Sequence, residues 1–382
     1  LIDQRNYHMF VPLLYHVASG GIKVDNICFP LRQLLETGKP TPRITFNKCT
    51  VEEIDLHSKS ILTDKARFSF DYLFLTLGSS SNYFGIPGAD SNTIPLKSIQ
   101  DATHIHNQVL EQFENAIFET DETKRRELLT FVIVGGGPTG VELCATMAFL
   151  MFRTLDHEFP TLIPLARLVL AEGSSGLLRG FKTKLGNLAH KRLEKLGVEV
   201  CLDFQVSEVS TRGIKAADGR YISSTNIIWA AGVKPNPIVQ ALPVQKASDG
   251  RIIVSSESEV VDFPGVYVVG DCAYLIQKGL DKAYPPTAQG ASITGKQCGR
   301  NLVRILSGKA TREPEYRYRS ELIFVGRNYA VGEIAGIVIS GFFAFILYQA
   351  NHLLRLTGFK NKMGAALDWL YDYVSARNTS KI

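Results

Sequence analysis

Apolar residues along this chain fall into two rhythms. Short, mainly apolar runs read as strands: Leu73–Gly78, Phe131–Val134, Arg167–Ala171, Val198–Leu202, Ile227–Ala231 and Val266–Asp271. Between them lie segments with helical spacing: Ser98–Glu119, Leu143–Phe149 and Lys182–Leu196. Strand and helix in alternation predict an α/β protein with parallel sheets. Pro285-Pro286-Thr-Ala-Gln289 reads as the opening of a further helix, with proline in a first turn that tolerates it.

The pattern changes at the C-terminal end. Ile334–Leu354 carries no charge, and its span is near the roughly 20 residues that cross a bilayer. Gly332–Ser340 reads as a hairpin strand, Phe342–Leu356 as a short apolar helix, and Met363, Leu367, Leu370 and Val374 repeat at helical spacing. Arg355, Lys360, Lys362, Arg377 and Lys381 flank these stretches. Apolar faces edged by Lys and Arg describe helices lying in a membrane interface, with Phe342, Phe343, Phe345, Ile346, Trp369 and Leu370 in lipid. Core or dimer-interface helices, and one spanning helix, remain open as readings.

The chemistry concentrates in Phe131-Val-Ile-Val-Gly-Gly-Gly-Pro-Thr-Gly-Val-Glu142. Gly135, Gly137 and Gly140 stand in G-x-G-x-x-G spacing between a strand and a helix. The first allows a tight turn, the second lets a pyrophosphate approach the backbone, and the third lets helix and strand pack closely. The next strand ends at Glu172, where an acidic residue binds a ribose 2′-hydroxyl. An insertion around Thr154–Pro164 lengthens the usual spacing of about 20 residues. The strand Val266–Asp271 delivers a second acid, Asp271, after Gly270.

A length of 382 residues allows two or three domains, and an apolar fraction of 45% is ample for their cores. The formal charge of +5 is too mild to point to nucleic acid. Six cysteines without a C-x-x-C pair argue against a zinc site or a redox dithiol and fit a reducing compartment. Cys272 reads as a small buried hydrophobe. His8, His16 and His352 lack metal-ligand spacing, so no metal is assigned.

These motifs, in this order, resemble the two-dinucleotide-binding-domain flavoproteins, and within them the type II NADH:quinone oxidoreductases. Leu1-Ile-Asp3 is similar to the end of the family's second FAD-domain strand. Tyr72–Gly78 is similar to its A-T-G turn, Trp229–Val233 to the strand end near the nicotinamide, and Val269-Gly-Asp271 to its flavin-side G-D motif. Pro286–Ala291 is similar to its quinone motif. The resemblance implies FAD on Asp3, Gly78, Gly270, Asp271, Thr287 and Ala288. It places NADH on Gly135, Gly137, Gly140, Glu172, Ala231 and Gly232. It would set Glu142 near the nicotinamide–flavin contact, with charge complementarity to the helix N-terminus as the other reading, and Gln289 toward the quinone headgroup, with a satisfied buried amide as the other. Two departures stand out. The family's opening strand and glycine loop, roughly 30 residues with their helix, precede the position matched by Leu1. The last Gln of the quinone motif is Ile293.

The expected fold is α/β, with two Rossmann-like domains and a C-terminal membrane-associating helical segment. The expected boundaries are 1–97 and 256–320 for the FAD domain, 98–255 for the NAD(H) domain and 321–382 for the C-terminal hairpin and helices. The implied function is that of a non-proton-pumping respiratory NADH dehydrogenase, passing two electrons from NADH through FAD to a membrane quinone. It would work as a peripheral protein on the cytoplasmic face of a bacterial inner membrane, with a homodimer as a further partner. Two alternatives stay open: a soluble ferredoxin- or rubredoxin-reductase-like flavoprotein, and an apoptosis-factor-like NAD(H)-binding sensor.

Overall fold

The structure, a computed structural model, describes residues 1–35, 44–315, 320–374 and 379–380. Packing divides the chain into two compact units. One takes Leu1–His8, Pro30–Asn82 and Val233–Tyr318; the other takes Met9–Phe29, Tyr83–Gly232 and Arg319–Ile382.

The second unit is built on a five-stranded parallel sheet. Its strands are β1 (Ile94–Pro95), β2 (Thr130–Val134), β3 (Arg167–Ala171), β4 (Val198–Cys201) and β5 (Asn226–Trp229). The order across the sheet is β1-β5-β2-β3-β4. The chain winds outward from β2 to β4, then returns to the other side of β2, so the order reverses between β2 and β5. A crevice at the carboxyl ends of the strands opens at such a switch point. Every residue of β2 and β5 is buried, which explains their unbroken apolar runs.

Helices α1 (Ile99–Phe118), α2 (Pro138–Phe149) and α3 (Thr183–Lys195) accompany this sheet. The start of α1 is set chemically. Ser98 Oγ accepts from the Asp101 N–H at 3.1 Å, and the Asp101 carboxylate accepts from the Ser98 N–H at 2.8 Å, a capping box. Ala102, Ile105, Val109, Phe113 and Ala116 form its buried face. Leu150–Thr154 continues α2 as a π-helical turn, and short 3₁₀ turns at Leu155–His157 and Ile163–Leu165 make up the insertion before β3.

The first unit has a core of Leu73, Leu75, Val239, Leu242, Ile252, Val266, Val268 and their neighbours. Strand Leu73–Leu75 pairs in parallel with Val266–Val268, and Ile2–Asp3 pairs in parallel with Asn47–Lys48. A three-stranded antiparallel sheet spans Val51–Asp55, Ser60–Thr63 and Arg67–Ser69. Helix Ala288–Leu306 starts later than the sequence suggested. Thr287 caps it, accepting from the Gly290 N–H at 3.2 Å, so Pro285 and Pro286 precede the helix instead of occupying its first turn.

Packing also redraws the expected domain boundaries. Residues 233–255 join the first unit because Val233–Pro235 pairs antiparallel with Ser79–Ser81, and Val239, Leu242, Ile252 and Val254 enter its core. Residues 9–29 join the second unit, where the helix Leu14–Ala18 packs on α1 and α2. The C-terminal segment packs within that unit too. Strands Ser320–Phe324, Ala330–Ile334 and Ile337–Gly341 form an antiparallel sheet. Ala335 (φ 48°) and Gly336 (φ 86°) make the turn between the last two, the pair of positive φ values that a tight hairpin needs.

Helices Phe342–Arg355 and Phe359–Val374 follow. Among the described residues no helix is long and apolar enough to cross a membrane. Two residues expected in lipid face protein instead. Phe345 is 4% exposed and Trp369 6%, because their rings pack near Phe324 and His16. Phe342, Phe343, Ile346 and Leu370 are exposed, as are Leu354, Phe359, Met363 and Leu367. Arg377 and Lys381 lie outside the described residues.

The capping box gives a direct test of how α1 is held. Ser98→Ala should cost about 1 kcal/mol in the unfolding of the unit that contains α1, the usual worth of a lost N-cap. Chemical denaturation followed by circular dichroism measures it, and Ser98→Asp should recover most of the loss.

Candidate functional site

The glycine loop leaves β2 at the reversal point and enters α2. Gly135 turns the chain at φ 113°, and a Cβ there would lie 2.8 Å from the Ala231 backbone. A Cβ on Gly140 would lie 1.8 Å from the Gly135 carbonyl oxygen, so the third glycine is required by the loop's own backbone. Gly136 is bounded by side chains instead: its Cβ would meet Leu177 at 2.6 Å and the Glu172 carboxylate at 2.9 Å. Gly137, the N-cap of α2, differs, with nothing within 4 Å of its Cβ position. The one open approach to the backbone is thus where a pyrophosphate would meet the amide groups at a helix N-terminus. The residues present fit a dinucleotide.

Glu172 follows β3 and turns back onto this loop. Its Oε2 accepts from the Gly136 N–H at 2.6 Å. Its Oε1 accepts from the Ser174 N–H at 2.8 Å and the Ser174 hydroxyl at 2.6 Å. Ala231 and Gly232 follow β5 on the other side. The Trp229 indole N–H donates to the Ala231 carbonyl at 2.8 Å. Gly232, at φ 66°, lies under the Phe84 ring, which a Cβ would meet at 2.4 Å. Gly135, Gly137, Gly140, Glu172, Ala231 and Gly232 therefore gather at one end of one sheet, as the sequence suggested. Gly136 and Ser174 are additions. Gly136 sat in view as the middle of three consecutive glycines, but nothing in the sequence marked Ser174.

The first unit carries the residues expected to hold the flavin. Gly270 (φ 71°) follows Val266–Val268, and a Cβ there would lie 3.2 Å from the Ala291 Cβ. The Gly270 N–H donates to Thr294 Oγ1 at 3.3 Å. Asp271 accepts from the Ser79 hydroxyl at 2.7 Å. Gly78, at φ 68°, has open space around it, and its carbonyl accepts from the Asn236 N–H at 3.2 Å. The Cys272 thiol donates to the same carbonyl at 2.9 Å, and burial pushes its pKa up to about 11. Thr287 and Ala288 are exposed at the start of their helix, and Gln289 is half-buried one residue further on. Ile293 packs against the apolar core of this unit. Asp3 stands at the end of its short strand and accepts from the Arg5 N–H at 2.8 Å.

Glu142 has a different setting from the one its place in the motif suggests. It is the fifth residue of α2, beyond the first turn, and is partly buried. One carboxyl oxygen accepts from the Phe324 N–H at 3.3 Å. Burial pushes its pKa up to about 8, against the lowering effect of that single amide. Tyr15 and Tyr348, hydrogen-bonded to each other through their hydroxyls, lie close enough for the Glu142 charge to raise both. Tyr348 stacks on His352 at 4.0 Å, whose buried ring is pushed down to about 4. A small cavity beside this cluster is lined by His16, Phe149, Phe324, Phe345, Tyr348 and Trp369, among others. No spacing rule could have paired residues 15 and 348.

An open strand-order reversal, a glycine loop at it and a second glycine–acid turn in a separate unit define a flavoprotein oxidoreductase fold that handles two dinucleotides. The profile of the pyridine nucleotide-disulphide oxidoreductase family matches residues 1–295. Within that class, the chain belongs to the type II NADH:quinone oxidoreductases. It is 33% identical, over 99% of its length, to the type II NADH:quinone oxidoreductase Ndh of Mycobacterium tuberculosis, of which it spans 83%. It is 25% identical over its whole length to the internal alternative NAD(P)H-ubiquinone oxidoreductase A1 of Arabidopsis thaliana mitochondria, spanning 80% of that protein. NDH2 of Plasmodium falciparum, solved in complex with NADH, shares the fold at a TM-score of 0.92 and 20% identity, with 100% and 94% of the two chains covered.

The protonation of Glu142 has a measurable signature. Its folded pKa is raised above the unfolded value of 4.5, so between roughly pH 5 and 8 the native state holds a proton that the unfolded chain has released. Stability should fall across that window with a slope approaching 1.4 kcal/mol per pH unit from this group alone. Glu142→Gln should flatten that slope when unfolding free energies are measured from pH 5 to 8.

Proposed function

We propose that this chain oxidises NADH and delivers the two electrons through FAD to a membrane quinone, without pumping protons. The observation that carries the reading is the open backbone over Gly137, framed by Glu172 and by Ala231–Gly232 at the carboxyl ends of the strands. FAD, when bound, supplies two-electron acceptance from hydride and onward transfer to the quinone. The protein's share is binding, orientation and protons.

Gly137 and the N-terminus of α2 receive the pyrophosphate of NADH. Glu172 accepts from the adenosine ribose and disfavours a 2′-phosphate, and Ala231–Gly232 bound the nicotinamide end of the site. Asp3, Gly78, Gly270 and Asp271 hold FAD along its ribose and ribityl chain, with Asp271 oriented by Ser79. The exposed helix start at Thr287 and Ala288 would lie toward the electron-rich end of the flavin. Gln289 addresses the quinone headgroup. Ile293 offers no amide at the motif's last position, so Gln289 carries that polar contact from this helix. Glu142 is a carboxylic acid at neutral pH. Its proton is held on a carboxyl near the Tyr15–Tyr348 pair of the second unit.

The exposed side chains of the C-terminal helices form the membrane contact of this reading. Phe342, Phe343, Leu354 and Phe359 are between 61% and 81% exposed. Lys360 and Arg355 are exposed beside them. Asp368 is engaged by the Lys23 N–H at 3.0 Å and the Asn26 amide at 2.6 Å, so it is turned toward protein. An apolar face with cationic edges suits an anionic bilayer surface. The enzyme then works as a peripheral protein, on the cytoplasmic face in a bacterial setting.

Two experiments test the reading. The purified protein reconstituted with FAD should bleach near 450 nm with NADH and recover with a quinone. A flavin that NADH leaves oxidised would refute it. For the membrane, Phe343→Ser with Phe359→Ser should release the protein from anionic vesicles in flotation. NADH oxidation by a water-soluble acceptor should persist, because both side chains lie outside the core. Vesicle binding by the wild type should also weaken as salt rises.

A further inference from the structure

We infer that Ser174 is a specificity-determining residue for the nucleotide, acting by immobilising Glu172, an inference that rests on Glu172 being the partner of the adenosine ribose. The geometry is a small closed lock. The Glu172 carboxylate takes three hydrogen bonds from protein: the Gly136 N–H at 2.6 Å on one oxygen, and the Ser174 N–H at 2.8 Å and hydroxyl at 2.6 Å on the other. A carboxylate offers about four acceptor positions, so roughly one remains for a ligand. A ribose 2′-hydroxyl is a donor and fits that vacancy. A 2′-phosphate brings negative charge and acceptor oxygens, and fits only if the acid swings away.

Whether the acid can swing is set by what holds it. Ser174 is itself anchored, since its carbonyl accepts from the Asp203 N–H at 3.0 Å. Its hydroxyl has two acceptors in reach, Glu172 Oε1 at 2.6 Å and the Gly176 carbonyl at 2.9 Å. With one proton to give, it favours the shorter, charge-assisted bond. The glycine loop is held by the same segment. The Gly136 N–H is bound by Glu172, and the Gly136 carbonyl accepts from the Leu178 N–H at 2.8 Å. Moving Glu172 aside would therefore also release the peptide that leads into the pyrophosphate site. Ser174 converts an acid that merely disfavours a 2′-phosphate into one that cannot yield to it.

The test compares Ser174→Ala, Ser174→Thr and Glu172→Gln in the FAD-loaded enzyme. The readouts are kcat/KM for NADH and NADPH, and dissociation constants for NAD⁺ and NADP⁺ by calorimetric titration. Ser174→Ala should narrow the NADH preference about tenfold, the worth of one hydrogen bond to a charged group. The change should sit in KM and in the dissociation constants. Ser174→Thr keeps the hydroxyl and should keep the preference. If Glu172→Gln narrows the preference but Ser174→Ala weakens both nucleotides equally, Ser174 is only structural and the inference is overturned. If Glu172→Gln leaves the preference unchanged, the assignment of Glu172 fails first and takes the inference with it.

Discussion

The nucleotide end of this molecule depends on a steric constraint: backbone meets backbone at Gly135 and Gly140, where there is no room for a side chain. Gly135 abuts Ala231, Gly140 abuts the Gly135 carbonyl, and Gly136 lies against Glu172 and Leu177. Each contact removes a choice from the loop. What survives is one open backbone position, Gly137, and one carboxylate fixed at its side. The tight packing that closes the loop is therefore what shapes the opening. A single added methyl at Gly140 would collide with main chain, which cannot rotate away as a side chain can.

The sequence made much of this legible because the constraint is local. The loop, its strand and its helix are consecutive, and glycine is the residue that close backbone approach demands. Helix α1 was legible for a similar reason, since Ser98 and Asp101 carry the signal for its start. Legibility failed where partners are distant or where one pattern has two causes. Tyr15 and Tyr348 touch across most of the chain, and no periodicity connects them. Phe345 and Phe343 are equally apolar and nearly adjacent, yet one lines the protein interior and the other is exposed. Hydrophobic periodicity reports that a face avoids water, not what covers it. The paired prolines before Thr287 misled for a related reason, since proline suits both a first turn and the residues just ahead of one.

Glu142 links the nucleotide motif to the C-terminal sheet. It belongs by sequence to the nucleotide motif and by environment to the C-terminal sheet, through the Phe324 amide. Desolvation outweighs the Phe324 amide here and keeps this carboxyl neutral at pH 7. The C-terminal segment thus contributes to the second unit's interior as well as its surface. Its inward residues Phe345, Tyr348 and Trp369 are buried. An enzyme of this design cannot shed its outer apolar face by simple truncation, because the same helices complete the core.

The pairing of Ser79–Ser81 with Val233–Pro235 has an evolutionary meaning. These two short strands run antiparallel, with Ser81 opposite Val233. The stretch Tyr83–Gly232 thus leaves the first unit and rejoins it at neighbouring points. Every residue proposed to hold NADH falls inside that one uninterrupted stretch, whereas the flavin residues are drawn from segments on both sides of it. A block whose ends emerge together can be gained, duplicated or exchanged by ancestral recombination without disturbing its host, as domain insertions generally require. The nucleotide half of such an enzyme can then diverge on its own, while the flavin half must be inherited whole.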